Sequence, residues 1–240
     1  FLHFYNLMHI MLRGDIMNKE KMIRMLEYSS LAYKIIQPQL DDKILYIIDD
    51  KKTDVQCYIR IYNDELDVIF RGTNSNKDRV TDLRFWKKVI PYGNYSSKIR
   101  VHSGFIDAYK CKNVRNKIHK YVTSEIKKVN VMGHSYGAAL AVLCAVDLEY
   151  NFPRKDYEVF LFGCPRIGNR AFKKSYNKRV FKTFRVDNSN DIITKIPFAL
   201  WGYRHVGIKI HIGVPRILGV FSFNDHRPQK YYTNLLKKTR

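Results

Sequence analysis

Gly133-His134-Ser135-Tyr136-Gly137 is a pentapeptide whose residue types and spacing point at chemistry. It fits G-x-S-x-G, the pattern of a serine presented on a sharp strand-to-helix turn. The apolar run Val129–Met132 precedes it, and an Ala/Leu-rich run over 136–150 follows. Such a turn forces the serine into a strained backbone, and flanking glycines lack the Cβ atoms that would clash there. The hydroxyl then stands clear. The first amides of the next helix point back at it, with the positive end of the helix dipole. By position, the Tyr136 N–H is one donor for a developing oxyanion. The bland alternative is a glycine-rich helix start capped by a serine.

A serine becomes a nucleophile only beside a base, and the base needs an orienting acid. In the strand–elbow–helix arrangement the chain order is serine, acid, histidine. Acids after the elbow helix are Asp156, Glu158, Asp187, Asp191 and Asp225. Asp191 lies in a loop directly after the strand expected over Val180–Val186, where a sheet presents functional groups. Asp187 competes with it locally. Among the later histidines, His205 and His211 lie in strand-like runs and read as structural or solvent-facing. His226 precedes a C-terminal helix pattern, so a loop there would carry its imidazole over the sheet.

The elements that must hold these groups can be read in outline. Residues 18–36 have a helical apolar face containing Met22, Met25, Leu26, Tyr33 and Ile36. Ile44–Ile48, Val55–Tyr62 and Leu66–Phe70 read as strands, with a hairpin turn at Asn63-Asp64. Residues 105–128 show one long helical pattern, with Phe105, Tyr109, Ile118, Val122 and Ile126 inward. The helix over 136–150 is apolar nearly all round and therefore buried. Strands at Val129–Met132 and Tyr157–Phe162 alternate with helices. This predicts an α/β fold with a largely parallel central sheet. No repeat or long linker divides the chain. Residues 1–17 read as an extension or leader remnant, and 18–240 as a single domain.

Several further segments, taken in order, resemble the class 3 lipase family, the fungal triacylglycerol lipase type. Phe70-Arg71-Gly72-Thr73 is similar to its FRG(S/T) strand, and Val101-His102-Ser103-Gly104-Phe105 to its VHxGF. The elbow is similar to GHSLG, with Tyr136 in place of leucine. Phe162–Asn169 resembles FGxPRxGN, Asn190-Asp191 with Ile196-Pro197 resembles NDxVxxxP, and Tyr203–Gly207 resembles YxHxG. Asp225-His226 with Tyr231 resembles the terminal DHxxY region. The resemblance covers about residues 20–235. It implies an α/β-hydrolase fold, with helices on both faces of a mostly parallel sheet. It implies a triad of Ser135, Asp191 and His226, and Thr73 as the second oxyanion donor beside Tyr136. It places His205 on the family's structural histidine. His102 and His134 fall on positions near the site, where they read as packing and hydrogen-bonding residues. Pro165–Asn169 reads as a turn into the next helix. The implied reaction is hydrolysis of acylglycerol or related esters through an acyl-enzyme, without metal or organic cofactor. A phospholipase, a soluble-ester esterase, or a membrane- or nucleic-acid-binding module on the same scaffold are the alternatives.

The family's lid usually follows FRGT. Here Asn74–Leu83 is polar, although Val80, Leu83, Trp86 and Ile90 fall at helical spacing among basic residues. The segment reads as a polar loop leading into a strand, with a basic, lipid-touching helix as the sharper alternative.

Charge and composition bound the remainder. The 240 residues carry a formal net charge of +21 with 45% apolar residues, so this is no disordered polycation. Residues 1–80 are neutral, and 81–240 carry the whole excess. It concentrates at 84–128 (net +10) and 154–185 (net +8). Richness in Lys, Ile, Asn, Tyr and Phe also fits an AT-rich genome, the bland alternative source of part of this charge. With no motif of the nucleic-acid-binding folds, specific nucleic-acid binding is not expected. The expected steering is toward anionic membranes. Cys57, Cys111, Cys144 and Cys164 are widely spaced and read as free thiols, which fits a reducing, intracellular compartment.

Overall fold

The computed structural model describes residues 19–34, 44–73, 97–215 and 217–237, and the backbone of 87–89. A helix, α1 (Lys19–Leu31), opens the described chain. Three strands follow: β1 (Ile44–Asp50), β2 (Val55–Tyr62) and β3 (Glu65–Phe70). A short hairpin comes next, β4 (Lys87–Val89) against β5 (Arg100–His102). The chain then runs through α2 (Ser103–Tyr109), α3 (Lys112–Lys120), β6 (Lys128–His134), α4 (Tyr136–Asn151) and β7 (Asp156–Phe162). It ends with α5 (Arg170–Arg179), β8 (Thr183–Asn188), β9 (Ile208–Ile212) and α6 (Pro228–Lys237).

Among the described residues the main sheet has seven strands in the order β1-β2-β3-β6-β7-β8-β9. The first two pairings are antiparallel hairpins. From β3 onward every pairing is parallel. The parallel strands are apolar on both faces because helices cover both. Leu66, Val68, Phe70, Val129, Val131, Val159 and Leu161 face a core closed by α2, α3, α4 and α5. The alternate residues Ile69, Met132, Phe160 and Phe162 face α1 and α6 through Met22, Met25, Leu26, Tyr231 and Leu235. Helix α4 is buried on every side from Gly137 to Leu148, as its uniform apolarity predicts. Its Asp147 is held by Tyr109, by a forked contact from Arg115, and by His119. That one carboxylate fastens α2 and α3 to the central helix.

The long helix expected over 105–128 is two helices, α2 and α3, parted at Lys110-Cys111; helix ends at Lys120, so Val122 and Ile126 lie in the loop before β6, and Lys128 already belongs to that strand. The five residues expected to point inward are all buried. Both helices lean on the same core, so the periodicity runs across a break that no proline or glycine marks. The strand expected to begin at Val180 begins at Thr183. His205 lies in the loop before β9 rather than in a strand, its Nε2 against the Thr194 carbonyl (2.8 Å). The proposed lid residues 74–86 and Ile90 lie outside the described residues.

Candidate active site

Ser135 sits between the last residue of β6 and the first of α4, at φ 60° and ψ −126°. The turn is tight enough that a Cβ at Gly133 would lie 2.5 Å from the Gly137 carbonyl carbon. A Cβ at Gly137 would lie 2.4 Å from the Phe70 carbonyl oxygen. Real Cβ contacts are longer, so both positions require glycine. Gly137 also shows that the end of β3 lies directly on the first turn of α4. That contact brings Thr73, three residues beyond Phe70, to the same end of the sheet as Tyr136. The Tyr136 N–H is one of the first amides of α4, at the positive end of the helix dipole. The Thr73 side is buried, as is Ser135.

The structure brings the three residues of the expected triad together. His226 Nε2 lies 2.7 Å from Ser135 Oγ. Its Nδ1 lies 2.8 Å from Asp191 Oδ2. The carboxylate only accepts, so Nδ1 carries the proton and Nε2 is free to accept from the serine hydroxyl. Asp191 follows β8 in a loop whose second oxygen accepts the Ile193 N–H (2.8 Å). His226 ends a single 3₁₀ turn, Asn224–His226. Asn188 holds that turn through its side-chain amide, which donates to the Asp225 carbonyl (2.8 Å).

Asp187, the local alternative to Asp191, is committed elsewhere. It forms a buried ion pair with Arg185 at 2.5 Å, and Arg185 Nε donates to the Val206 carbonyl. Arg185 and Asp187 are two apart on β8 and share one face of the strand. That spacing was available in the sequence as a reason to pass over Asp187.

Four further residues shape the site: His134 and Tyr231, which the resemblance places near it, and Tyr33 and Gly163, to which the sequence reading gives no part in it. Tyr231 donates to Asp191 Oδ2 at 2.5 Å and accepts the Asn188 N–H at 3.3 Å. Burial and the neighbouring carboxylates push its phenol pKa well above the ordinary value. Tyr231 therefore stays a donor at any working pH. Tyr33, just past α1, lies 2.8 Å from His134 Nδ1, and His134 Nε2 lies 2.8 Å from the His226 carbonyl oxygen. The carbonyl can only accept, so Nε2 carries the proton and Nδ1 accepts from the Tyr33 hydroxyl. Burial, then the neighbouring His226, lowers the His134 pKa well below its usual value, which keeps that tautomer neutral. The rings of His134 and His226 stack at 4.5 Å. Tyr33 also packs against Gly72, where a Cβ would overlap its hydroxyl. Gly163, at φ +58°, passes under the imidazole so closely that a Cβ would lie 2.8 Å from His226 Cε1.

His102 departs from its expected part. It packs, with its ring 4.2 Å from that of Phe105, but neither ring nitrogen has a hydrogen-bond partner. Burial lowers its pKa to about 4. Pro165–Asn169 forms the turn read for it: Asn169 caps α5 by accepting the Phe172 N–H. No group of three or more metal-ligating side chains occurs among the described residues. The four cysteines are separate thiols.

The family described as Lipase (class 3) matches residues 68–201. The secreted mono- and diacylglycerol lipase LIP1 of Malassezia globosa is 28% identical over 197 residues, 70% of this chain and 64% of that protein. The chloroplastic phospholipase A(1) DAD1 of Arabidopsis thaliana is 35% identical over 147 residues, 54% of this chain and 33% of that protein. The chain thus spans between a third and just under two thirds of the length of these relatives. The crystal structure of a lipase from Rhizopus microsporus var. chinensis superposes with a TM-score of 0.76 at 24% identity. It covers 88% of this chain and 86% of the other. At that identity the likeness is one of fold, and the α/β-hydrolase fold is what it shows.

Proposed function

The chain belongs to the class 3 lipase family, and on that footing we propose that it is a serine carboxylic-ester hydrolase acting on lipid esters. The observation that carries the proposal is the unbroken hydrogen-bond line Ser135–His226–Asp191 around a serine at φ 60°. We assign acylglycerols and phospholipids as the substrate classes, because relatives are named for both.

In this reading His226 takes the Ser135 proton as the hydroxyl attacks the ester carbonyl. Asp191 fixes the imidazole tautomer and stabilises the imidazolium. The tetrahedral oxyanion sits between the Thr73 and Tyr136 amides. Each such donor is worth on the order of 100–1000-fold in rate. His226 then protonates the leaving alcohol, and water attacks the acyl-serine with the same histidine as base. Tyr33, His134, Tyr231 and Gly163 are positioning residues, since each acts through His226 or Asp191.

The test is covalent labelling by a fluorophosphonate together with hydrolysis of p-nitrophenyl esters of rising chain length. Labelling of the parent but not of Ser135→Ala, with ester turnover lost in the variant, is the expected result. A scaffold that only binds would not label. Turnover retained by Ser135→Ala would sink the assignment.

A further inference from the structure

Large apolar side chains are exposed very unevenly. Nine of the sixteen found exposed among the described residues fall within residues 198–223. They are Phe198, Leu200 and Trp201 in one stretch, and Val214 with five residues of 217–223 in the other. Leu200 is 97% exposed and Leu218 is 100% exposed. The first stretch lies a few residues after Asp191, and the second leads into His226. Both therefore adjoin, along the chain, the loops that carry Asp191 and His226.

The exposure is built, not frayed. The Val214 N–H donates to Ser189 Oγ (3.2 Å) and the Ile217 N–H to Asn190 Oδ1 (2.9 Å). The Ser222 N–H donates to the Asn190 carbonyl (3.0 Å), and the Ile192 N–H donates to the Ser222 carbonyl (3.3 Å). Phe198 and Trp201 brace each other edge to face, ring centres 5.0 Å apart. Polar backbone groups are thus spent on the stem of the second loop, and apolar side chains are left at the tips. Large apolar side chains gathered in the open on the loops that flank a site mark a contact surface.

Charge selects the occupant. From residue 192 to the end of the chain there are nine Lys and Arg residues against one acid, Asp225. The Asp225 carboxylate already accepts the Asn190 N–H. A second copy of the chain would bring the same sign, at +21 each. An anionic lipid layer brings the opposite sign and an apolar interior together. Resting on the lipid-ester reading above, we propose that residues 198–201 and 217–223, with Val214, form the seat of this chain on anionic lipid, with Leu200 and Leu218 entering the acyl region.

The experiment uses the Ser135→Ala chain, which leaves lipid intact, so that binding is judged apart from hydrolysis. Co-sedimentation compares vesicles of phosphatidylcholine with vesicles containing phosphatidylglycerol. Association at least about tenfold stronger with the anionic vesicles is expected, weakening as salt rises. Leu200→Asp with Leu218→Asp should lower it by about tenfold or more. The same pair with Ser135 in place should still hydrolyse a short soluble ester, which reports an intact fold. A probe that leaves the loops untouched is Trp201 in a Trp86→Phe background. Its emission should shift to the blue on anionic vesicles and be quenched by brominated acyl chains. Equal association with both vesicle types overturns the proposal, as does unquenched Trp201 on bound chain. A dimer broken by the Leu200/Leu218 pair, without vesicle binding, gives the rim to a second copy and overturns it too.

Discussion

At the residue scale, the two carboxylates of the β8 region separate chemistry from architecture. Asp191 and Asp187 lie four positions apart and are both buried. Asp191 accepts from His226 Nδ1 and from Tyr231, whereas Asp187 neutralises Arg185. Asp191→Asn should lower kcat on a soluble ester on the order of 10⁴-fold, because an amide no longer enforces the imidazole tautomer. Its melting temperature should change little by comparison. Asp187→Asn should do the reverse, since an unpaired buried guanidinium costs about 3–5 kcal/mol. Steady-state kinetics and thermal melts on the two variants check the pair of outcomes. Tyr33→Phe makes a finer cut. It leaves His134 Nδ1 a buried acceptor without a donor, at a cost of about 1–3 kcal/mol. Expressed in the transition state, that lowers kcat roughly 5–150-fold with KM for a soluble ester unchanged. An unchanged kcat would reduce the Tyr33–His134 link to packing.

At the scale of elements, the site is a meeting of strand ends, and glycine sets how closely they meet. Gly163, at the end of β7, holds the backbone under the His226 ring. Gly163→Ala would put a methyl 2.8 Å from Cε1. The ring must give way, and a misplacement near 1 Å costs about 100-fold in rate. We expect kcat to fall by that order while far-ultraviolet circular dichroism is unchanged. Parental kcat in that variant would place the imidazole elsewhere. Much of this arrangement was legible in the sequence where the signal is local. The elbow declares itself because strand, glycine, serine and helix are contiguous. The parallel sheet declares itself because buried strands read as apolar runs. The break between α2 and α3 is silent, since one apolar periodicity serves both helices. Tyr33 was legible only as a core residue of the first helix. Its functional contact is with His134, 101 positions away, and no spacing rule reaches that far. Only the resemblance selected Asp191, although the Arg185–Asp187 alternation on one strand face held the reason.

At the scale of the whole molecule, two buried histidines tie stability to acid. His102 and His134 both have lowered pKa values because burial disfavours the charged ring. The unfolded chain binds their protons near the ordinary value of 6.5, and the folded chain does not until lower pH. Between those limits the unfolded state carries more protons, so stability must fall as pH falls. For His102 the window runs from 6.5 down to about 4. The loss across it is about 3 kcal/mol at 1.36 kcal/mol per pH unit. In a protein of this size that is roughly 6–12 °C of melting temperature. His102→Phe isolates the effect, because the ring packs on Phe105 and makes no hydrogen bond that the substitution would remove. The variant should match or exceed the parent in melting temperature at pH 7.5. It should then hold an advantage that grows as pH drops to 4.5. Ester hydrolysis at neutral pH should be preserved, since His102 makes no bond to Ser135, His226 or Asp191. Parallel melting curves for the two proteins over that range would show that His102 is charged in the folded state, against its burial. The same measurement on the parent separates this local cause from the +21 net charge. Self-repulsion among surface charges weakens with added salt, whereas the proton uptake of a buried ring persists at high ionic strength.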